Sequence, residues 1–209
     1  MDLFNEIRPI ALADARVIYH PSPDLGLHPD AIFSALRAEI PWEQHSVNIH
    51  GQIIPQPRLS SWHSEVVHTY STLAHVLVPH PWSGVVAHLR ERVEAICAAR
   101  FNSMLANLYR NGQDAIGWHA DDEPELGPAP VIASLSFGAE RVFHMRRKDD
   151  HAQVKRITLE HGSLLIMAGT MQRHWQHAVM RTAKPIGERI NLTFRLTAGS
   201  ESSSIREAN

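Results

Sequence analysis

The sequence predicts a mostly β fold with flanking helices, a double-sheet jelly roll (double-stranded β-helix). Two observations carry this. After residue 101 the chain breaks into eight short extended runs separated by turn residues, and before it two stretches repeat apolar residues at helical spacing. With 209 residues, 44% of them hydrophobic and 20% charged, the chain holds enough apolar material for a sizeable core, which excludes disorder and collagen-like repeats.

Along the chain, the start MDLFNEIRPI has acids where a signal peptide wants bases, and no apolar run approaches a membrane span. From Pro29, residues Ile32, Phe33, Leu36 and Ile40 recur at helical spacing, so a helix is expected to end near Pro41. In VNIHGQIIPQPRLSSWHS two apolar runs flank His50-Gly51-Gln52, which suggests a hairpin, and the prolines and serines beyond it suggest a structured loop. A second helix is expected in PWSGVVAHLRERVEAICAAR, where Val86, Leu89, Val93 and Ile96 form one stripe, extended by Cys97, which is read as core. The strands follow at Ser103 to Tyr109, Ala115 to Ala120, Val131 to Phe137, Arg141 to Met145, Val154 to Leu159, Ser163 to Met167, Trp175 to Val179 and Arg189 to Leu196. Residues 1–199 are expected to form one domain, with a lid and hairpin over about 43–72 and a jelly-roll core over about 101–196; residues 200–209 read as a flexible tail.

The single cysteine permits no intramolecular disulfide and no cysteine-rich zinc site, which fits the reducing cytoplasm, or the nucleoid if the source is bacterial. Twenty basic against 22 acidic residues give no net attraction to nucleic acid, so such binding needs a local basic face. Arg110, Arg141, Arg146, Arg147, Lys148, Lys155 and Arg156 are candidates for that face, against the plainer reading of a solvated edge hairpin.

Fifteen histidines make metal ligation worth seeking. On an extended segment His119 and Asp121 point to one side, so both can bind one ion, with a third ligand from elsewhere. Two imidazoles and a carboxylate on one face of an octahedral ion leave three positions open, as non-haem Fe(II) oxygenases require. An HxD alone is weak, since a histidine so placed is more often a satisfied structural residue. In RINLTFR, Arg189, Asn191, Thr193 and Arg195 share a face. Two arginines inside a sandwich need an anionic partner, either a dicarboxylate held by the planar guanidinium fork or an internal acid such as Glu188 or Asp114.

HxD, a distant histidine and R-x-N-x-T-x-R in that order resemble the AlkB family of Fe(II)- and 2-oxoglutarate-dependent dioxygenases. The blocks NLYRNG at 107–112, GWHADDE at 117–123, IASLSFG at 132–138, HGSLL at 161–165 and Pro57-Arg58-Leu59 extend the resemblance over roughly residues 43–196 and point to the branch that repairs alkylated nucleic acid. The resemblance implies Fe(II), 2-oxoglutarate and O2, with His119, Asp121 and His177 as iron ligands. His174 competes, but the family pattern favours His177, two residues after Trp175. Asn107, Tyr109, Arg189, Thr193 and Arg195 match positions touching 2-oxoglutarate, with Arg189 at the far carboxylate and Arg195 near the chelating end.

For substrate, the resemblance places Asp122 against the damaged base, Arg58 in the entrance segment, Tyr70 as a stacking aromatic, His50 at the hairpin tip and Trp62 in a lid. Histidine at the tip departs from the bulky apolar wedges of duplex repair, and His63-Ser64 after Trp62 departs from the usual tyrosine and glycine. The implied activity is oxidative dealkylation of N-alkylated bases in DNA, or RNA, by a monomer acting on single strands, with no membrane partner. A dioxygenase of protein, RNA or a small metabolite is the first rival, and a β-sandwich binding module with a structural metal the second. A zinc hydrolase is set aside because HExxH is missing.

Overall fold

The computed structural model describes residues 7–49, 51–65, 78–82 and 84–198. In chain order β1 (Arg8–Ile10) and β2 (Arg16–His20) precede α1 (Pro29–Glu39), β3 (Ser46–Ile49), β4 (Gln52–Pro55), β5 (Leu59–Ser64) and α2 (Gly84–Cys97). Then come β6 (Ser103–Tyr109), β7 (Ile116–His119), β8 (Ile132–Gly138), β9 (Arg141–Arg147), β10 (Val154–Leu159), β11 (Ser163–Ala168), α3 (Met171–His174), β12 (Trp175–Val179) and β13 (Arg189–Arg195). A large sheet runs β1-β2-β11-β8-β13-β6-β5 and a small one β10-β9-β12-β7, with β3-β4 as a separate hairpin. The two larger sheets form the jelly roll that the run of strands predicts. Among the described residues no helix is long and apolar enough to cross a membrane.

Helix α1 starts where expected: His28 caps it by accepting the Asp30 N–H, Pro29 opens the first turn, and Asp30 and Arg37 suit the two ends of its dipole. Its buried residues Ile32 and Leu36 pack with Leu89 and Val93 of α2 onto one face of the large sheet, against Met104, Leu108, Leu135, Phe137, Ile190 and Phe194. Gly138 ends β8 at φ +84, in the left-handed region, and a Cβ there would strike the Glu188 carbonyl oxygen and the Phe33 ring. Cys97 is half-buried against this core, and burial pushes its thiol up to about 11, which leaves it an inert packing residue.

The other face of the large sheet looks into the sandwich. Its far end is closed by apolar residues, among them Val17, Ile132, Phe143, Met145, Leu165 and Trp175. Its centre is polar. In β13 every residue is buried, yet alternate ones are Arg189, Asn191, Thr193 and Arg195. Register places Arg189 opposite Tyr109, Asn191 opposite Asn107, and Ser134 and Ser136 of β8 opposite Thr193 and Asn191, so one polar patch spans three strands.

Two expectations are corrected here, and two strands are added. The segment after the hairpin is the edge strand β5 rather than a loop, paired with β6 from Leu59↔Leu108 to Ser64↔Ser103. Its LSSWHS sequence lacks apolar alternation because residues pointing to both faces are buried, Ser60, Ser61 and Ser64 among them. Strands β1 and β2, which carry no strong pattern, add to the opposite edge. The basic face also shrinks: Arg141 is 4% exposed, and its guanidinium donates to the Asn111, Asp114 and Met180 carbonyls as an internal brace. Arg110 is held by both oxygens of Asp114, Arg147 by Asp14 and Asp149, and Lys148 by Asp122.

Candidate active site

The small sheet brings together side chains that could hold a metal ion. His177 of β12 lies directly opposite His119 of β7, so both imidazoles project from the same face, with ring centroids 4.2 Å apart. Asp121 follows two residues beyond His119. One donor atom from each of the three lies within 4.8 Å of the other two, so strand pairing and an i, i+2 spacing assemble the trio. His174 ends the short helix α3 instead, and its carbonyl accepts the Lys148 N–H at 2.8 Å.

Protonation states favour a cation. The Gly117 carbonyl lies 2.8 Å from His119 Nδ1, which fixes the proton there and leaves Nε2 as the donor atom. Burial, reinforced by His119 and Arg195 and opposed by Asp121, pushes His177 down to about 3, so it is neutral at physiological pH. The Phe143 ring stacks on it at 5.2 Å. Burial alone would raise the Asp121 pKa, but Arg195, His177 and His119 bring it down to about 2. Arg195 donates to Asp121 Oδ1 at 2.6 Å, while Oδ2 faces His177 Nε2 at 3.8 Å.

Beside the trio, Asn107, Tyr109, Arg189, Thr193 and Arg195 line the same cavity. Arg189 is 2% exposed; its Nη2 donates to Ser136 Oγ at 2.9 Å, its guanidinium lies 5.2 Å from the centre of the Tyr109 ring, and its Nε and Nη1 have no hydrogen-bond partner among the described residues. The internal acids expected as alternatives are engaged elsewhere, Glu188 with Arg37 and Asp114 with Arg110. Among the described residues no carboxylate pairs with Arg189, and burial pulls its pKa below the ordinary arginine value. A buried cation with two idle donors calls for an anion from outside the chain.

The residues 27–195 match the family described as the 2OG-Fe(II) oxygenase superfamily. This chain belongs to that superfamily, within the AlkB family. The chain is 44% identical over 174 residues to alpha-ketoglutarate-dependent dioxygenase alkB homolog 3 of Bos taurus and of Homo sapiens, a stretch covering 79% of this chain and 60% of each relative. It is 37% identical over 176 residues to DNA oxidative demethylase ALKBH2 of Mus musculus, covering 79% of this chain and 74% of that protein. The chain thus spans about 60% of the length of its alkB homolog 3 relatives. The solved structure of OsALKBH1 shares its fold at a TM-score of 0.60 and 17% identity, covering 91% of this chain and all of that one. The superfamily's Fe(II) fits the two-imidazole, one-carboxylate set, and its dicarboxylate 2-oxoglutarate fits the idle donors of Arg189.

The residues expected on the substrate side are less gathered. Arg58 donates from Nε to Asn107 Oδ1 at 2.8 Å, so it braces one wall of the cavity beside the trio. Trp62 is 2% exposed inside β5, opposite Leu105 of β6, and is therefore part of the sandwich wall and not a surface lid. Asp122 lies at the surface beside the trio with Lys148 Nζ at 2.7 Å. The hairpin is present as β3-β4, but His50, like Tyr70, lies outside the described residues.

Sequence reasoning missed four contributors. Ser136 and Ser134 sit on β8 at alternate positions facing β13, a signal available once those strands are paired. Phe143 reads only as an apolar strand residue. Gln172, whose Oε1 accepts the Asp121 N–H at 3.0 Å, carries no sequence signal.

Proposed function

We propose that this protein oxidatively dealkylates N-alkylated nucleic-acid bases, preferentially in single-stranded DNA, with His119, Asp121 and His177 as the iron ligands. The observation that carries the reading is the pairing of this donor trio with Arg189, a buried guanidinium that lacks an internal carboxylate. The relatives named DNA oxidative demethylase support the substrate class. When bound, Fe(II), 2-oxoglutarate and O2 supply the oxidising equivalents, one oxygen atom entering the alkyl C–H bond and the other entering succinate as CO2 leaves.

The chain's own residues orient and insulate. Arg189 takes the far carboxylate of the keto acid, helped by Tyr109 and Thr193, and Asn107, braced by Arg58, lines the cavity. Arg195 holds Asp121 Oδ1 so that Oδ2 faces the metal position. The buried walls of the sandwich keep water from the reacting atoms. No general base is required, because a hydroxylated carbon on a ring nitrogen leaves as an aldehyde and returns the proton to the base. Asp122 at the rim suits a positively charged alkylated base.

With Fe(II) and 2-oxoglutarate supplied, the expected result is aldehyde and succinate in equal amounts from N-methylated oligonucleotides, faster on single than on double strands. Turnover of keto acid without any restored base would sink the nucleic-acid reading and favour a protein or small-metabolite substrate, to which the balanced charge of the chain also points.

For binding, the basic surface reduces to Arg146, Lys155 and Arg156. Arg146 lies over the Trp118 ring at 4.3 Å and bonds Gln176. Lys155 and Arg156 are exposed on β10. Charge reversal of Arg146 and Arg156 together should weaken oligonucleotide binding by roughly 10-fold at low salt and flatten its dependence on log salt by about two units of slope. Fluorescence anisotropy across a salt series checks this, and an unchanged slope removes these residues from the phosphate path.

A further inference from the structure

The metal ligand Asp121 is held at two places, and only one of them is its carboxylate. Strand β7 ends at His119, so the Asp121 backbone N–H has no ladder partner. It donates instead to Gln172 Oε1 at 3.0 Å, inside the protein. Gln172 is 3% exposed, and among the described residues its Nε2 reaches only the Met167 sulfur, at 3.8 Å. A buried amide committed to one backbone group 51 residues away fixes the position of that group.

The element carrying Gln172 is itself rigid. Helix α3 runs directly into β12, which bears His177. Thr170 Oγ1 donates to the Asp14 carbonyl at 2.9 Å, Trp175 Nε1 to the Ala13 carbonyl at 2.8 Å, and the His174 carbonyl accepts the Lys148 N–H at 2.8 Å. Gln172 therefore links the segment of one ligand to the segment of another.

We infer that Gln172 is a positioning residue for the metal centre, setting the spacing between Asp121 and His177 through the Asp121 main chain. The inference rests on the metal site proposed above. Partners that orient ligands from behind typically change metal affinity by about 10- to 100-fold when removed. Gln172→Met keeps length and packing but deletes the acceptor. Gln172→Asn keeps the amide but is one methylene too short to reach.

The test is Co(II) binding to the full chain without keto acid or substrate, followed by calorimetry and by the visible absorption of the bound ion, with the melting temperature of the metal-free protein measured alongside. Both variants should bind Co(II) about 10- to 100-fold more weakly with an altered absorption envelope. Gln172→Glu, whose carboxyl oxygen still accepts, should keep more of the wild-type affinity than either. If either folded variant binds Co(II) as tightly as wild type with the same spectrum, whatever its melting temperature, Gln172 merely supports the fold and the inference is overturned. Loss of affinity in Gln172→Glu equal to that in Gln172→Met overturns it as well. Wild type that binds no Co(II) would instead defeat the metal site itself.

Discussion

Arg189→Met should weaken 2-oxoglutarate binding by between about 30-fold and several thousand-fold and yet leave the metal-free protein as stable as wild type or more so. Both signs follow from one arrangement. Removing one partner of a buried, hydrogen-bonded charge pair costs on the order of 2–5 kcal/mol of binding. Without the keto acid, however, Arg189 is a buried guanidinium with two idle donors and no carboxylate among the described residues. Exchanging such a charge for an apolar side chain of similar volume is often neutral or stabilising, by about 1–4 kcal/mol. Calorimetry with 2-oxoglutarate and thermal melts of the metal-free protein test the two halves separately. A variant that melts well below wild type would mean that Arg189 is satisfied by the protein and is no receptor for an anion.

The opposite stability sign is expected one turn of the cavity away. Asp121→Ala should abolish turnover, by at least about 1,000-fold as expected for loss of a ligand on which the chemistry depends, and should also destabilise the metal-free protein. Asp121 faces Arg195 at 2.6 Å, both residues being buried. Deleting one member of a buried ion pair costs about 3–5 kcal/mol, because the remaining charge stays behind. The pH dependence has the same origin. The folded Asp121 is depressed to about 2, so its stabilisation is fully present above the ordinary aspartate range and is lost as pH falls toward 2. Asp121→Ala should therefore remove part of the acid-induced loss of stability, a change that urea titrations at pH 7 and pH 3 would register. Equal melting of Asp121→Ala and wild type at neutral pH would contradict the pairing.

The contrast between these arginines bears on what a sequence discloses. RINLTFR announces a strand whose polar residues share a face, but it does not say which arginine meets a protein acid. That answer depends on Asp121, 74 residues earlier, reaching Arg195 across the sandwich. The trio itself was legible because strand geometry alone brings His119 and Asp121 to one side and the resemblance selects His177 over His174. Arg141 was misjudged although the hint was present: it alternates with Phe143 and Met145, both inward, and follows them into the interior. Strand β5 was hidden because a run that is buried on both faces and built of serines shows no alternation. Gln172 was hidden for a different reason, since its partner is a main-chain N–H that leaves no trace in residue type.

Diffraction from crystals grown anaerobically with Mn(II) and 2-oxoglutarate, with anomalous scattering to locate the metal, tests the account most directly. It should show one ion within roughly 2.0–2.3 Å of His119 Nε2, Asp121 Oδ2 and His177 Nε2, with the far carboxylate of the keto acid in hydrogen-bond reach of the Arg189 guanidinium. An ion bound elsewhere, or a keto acid whose far carboxylate avoids Arg189, would contradict it.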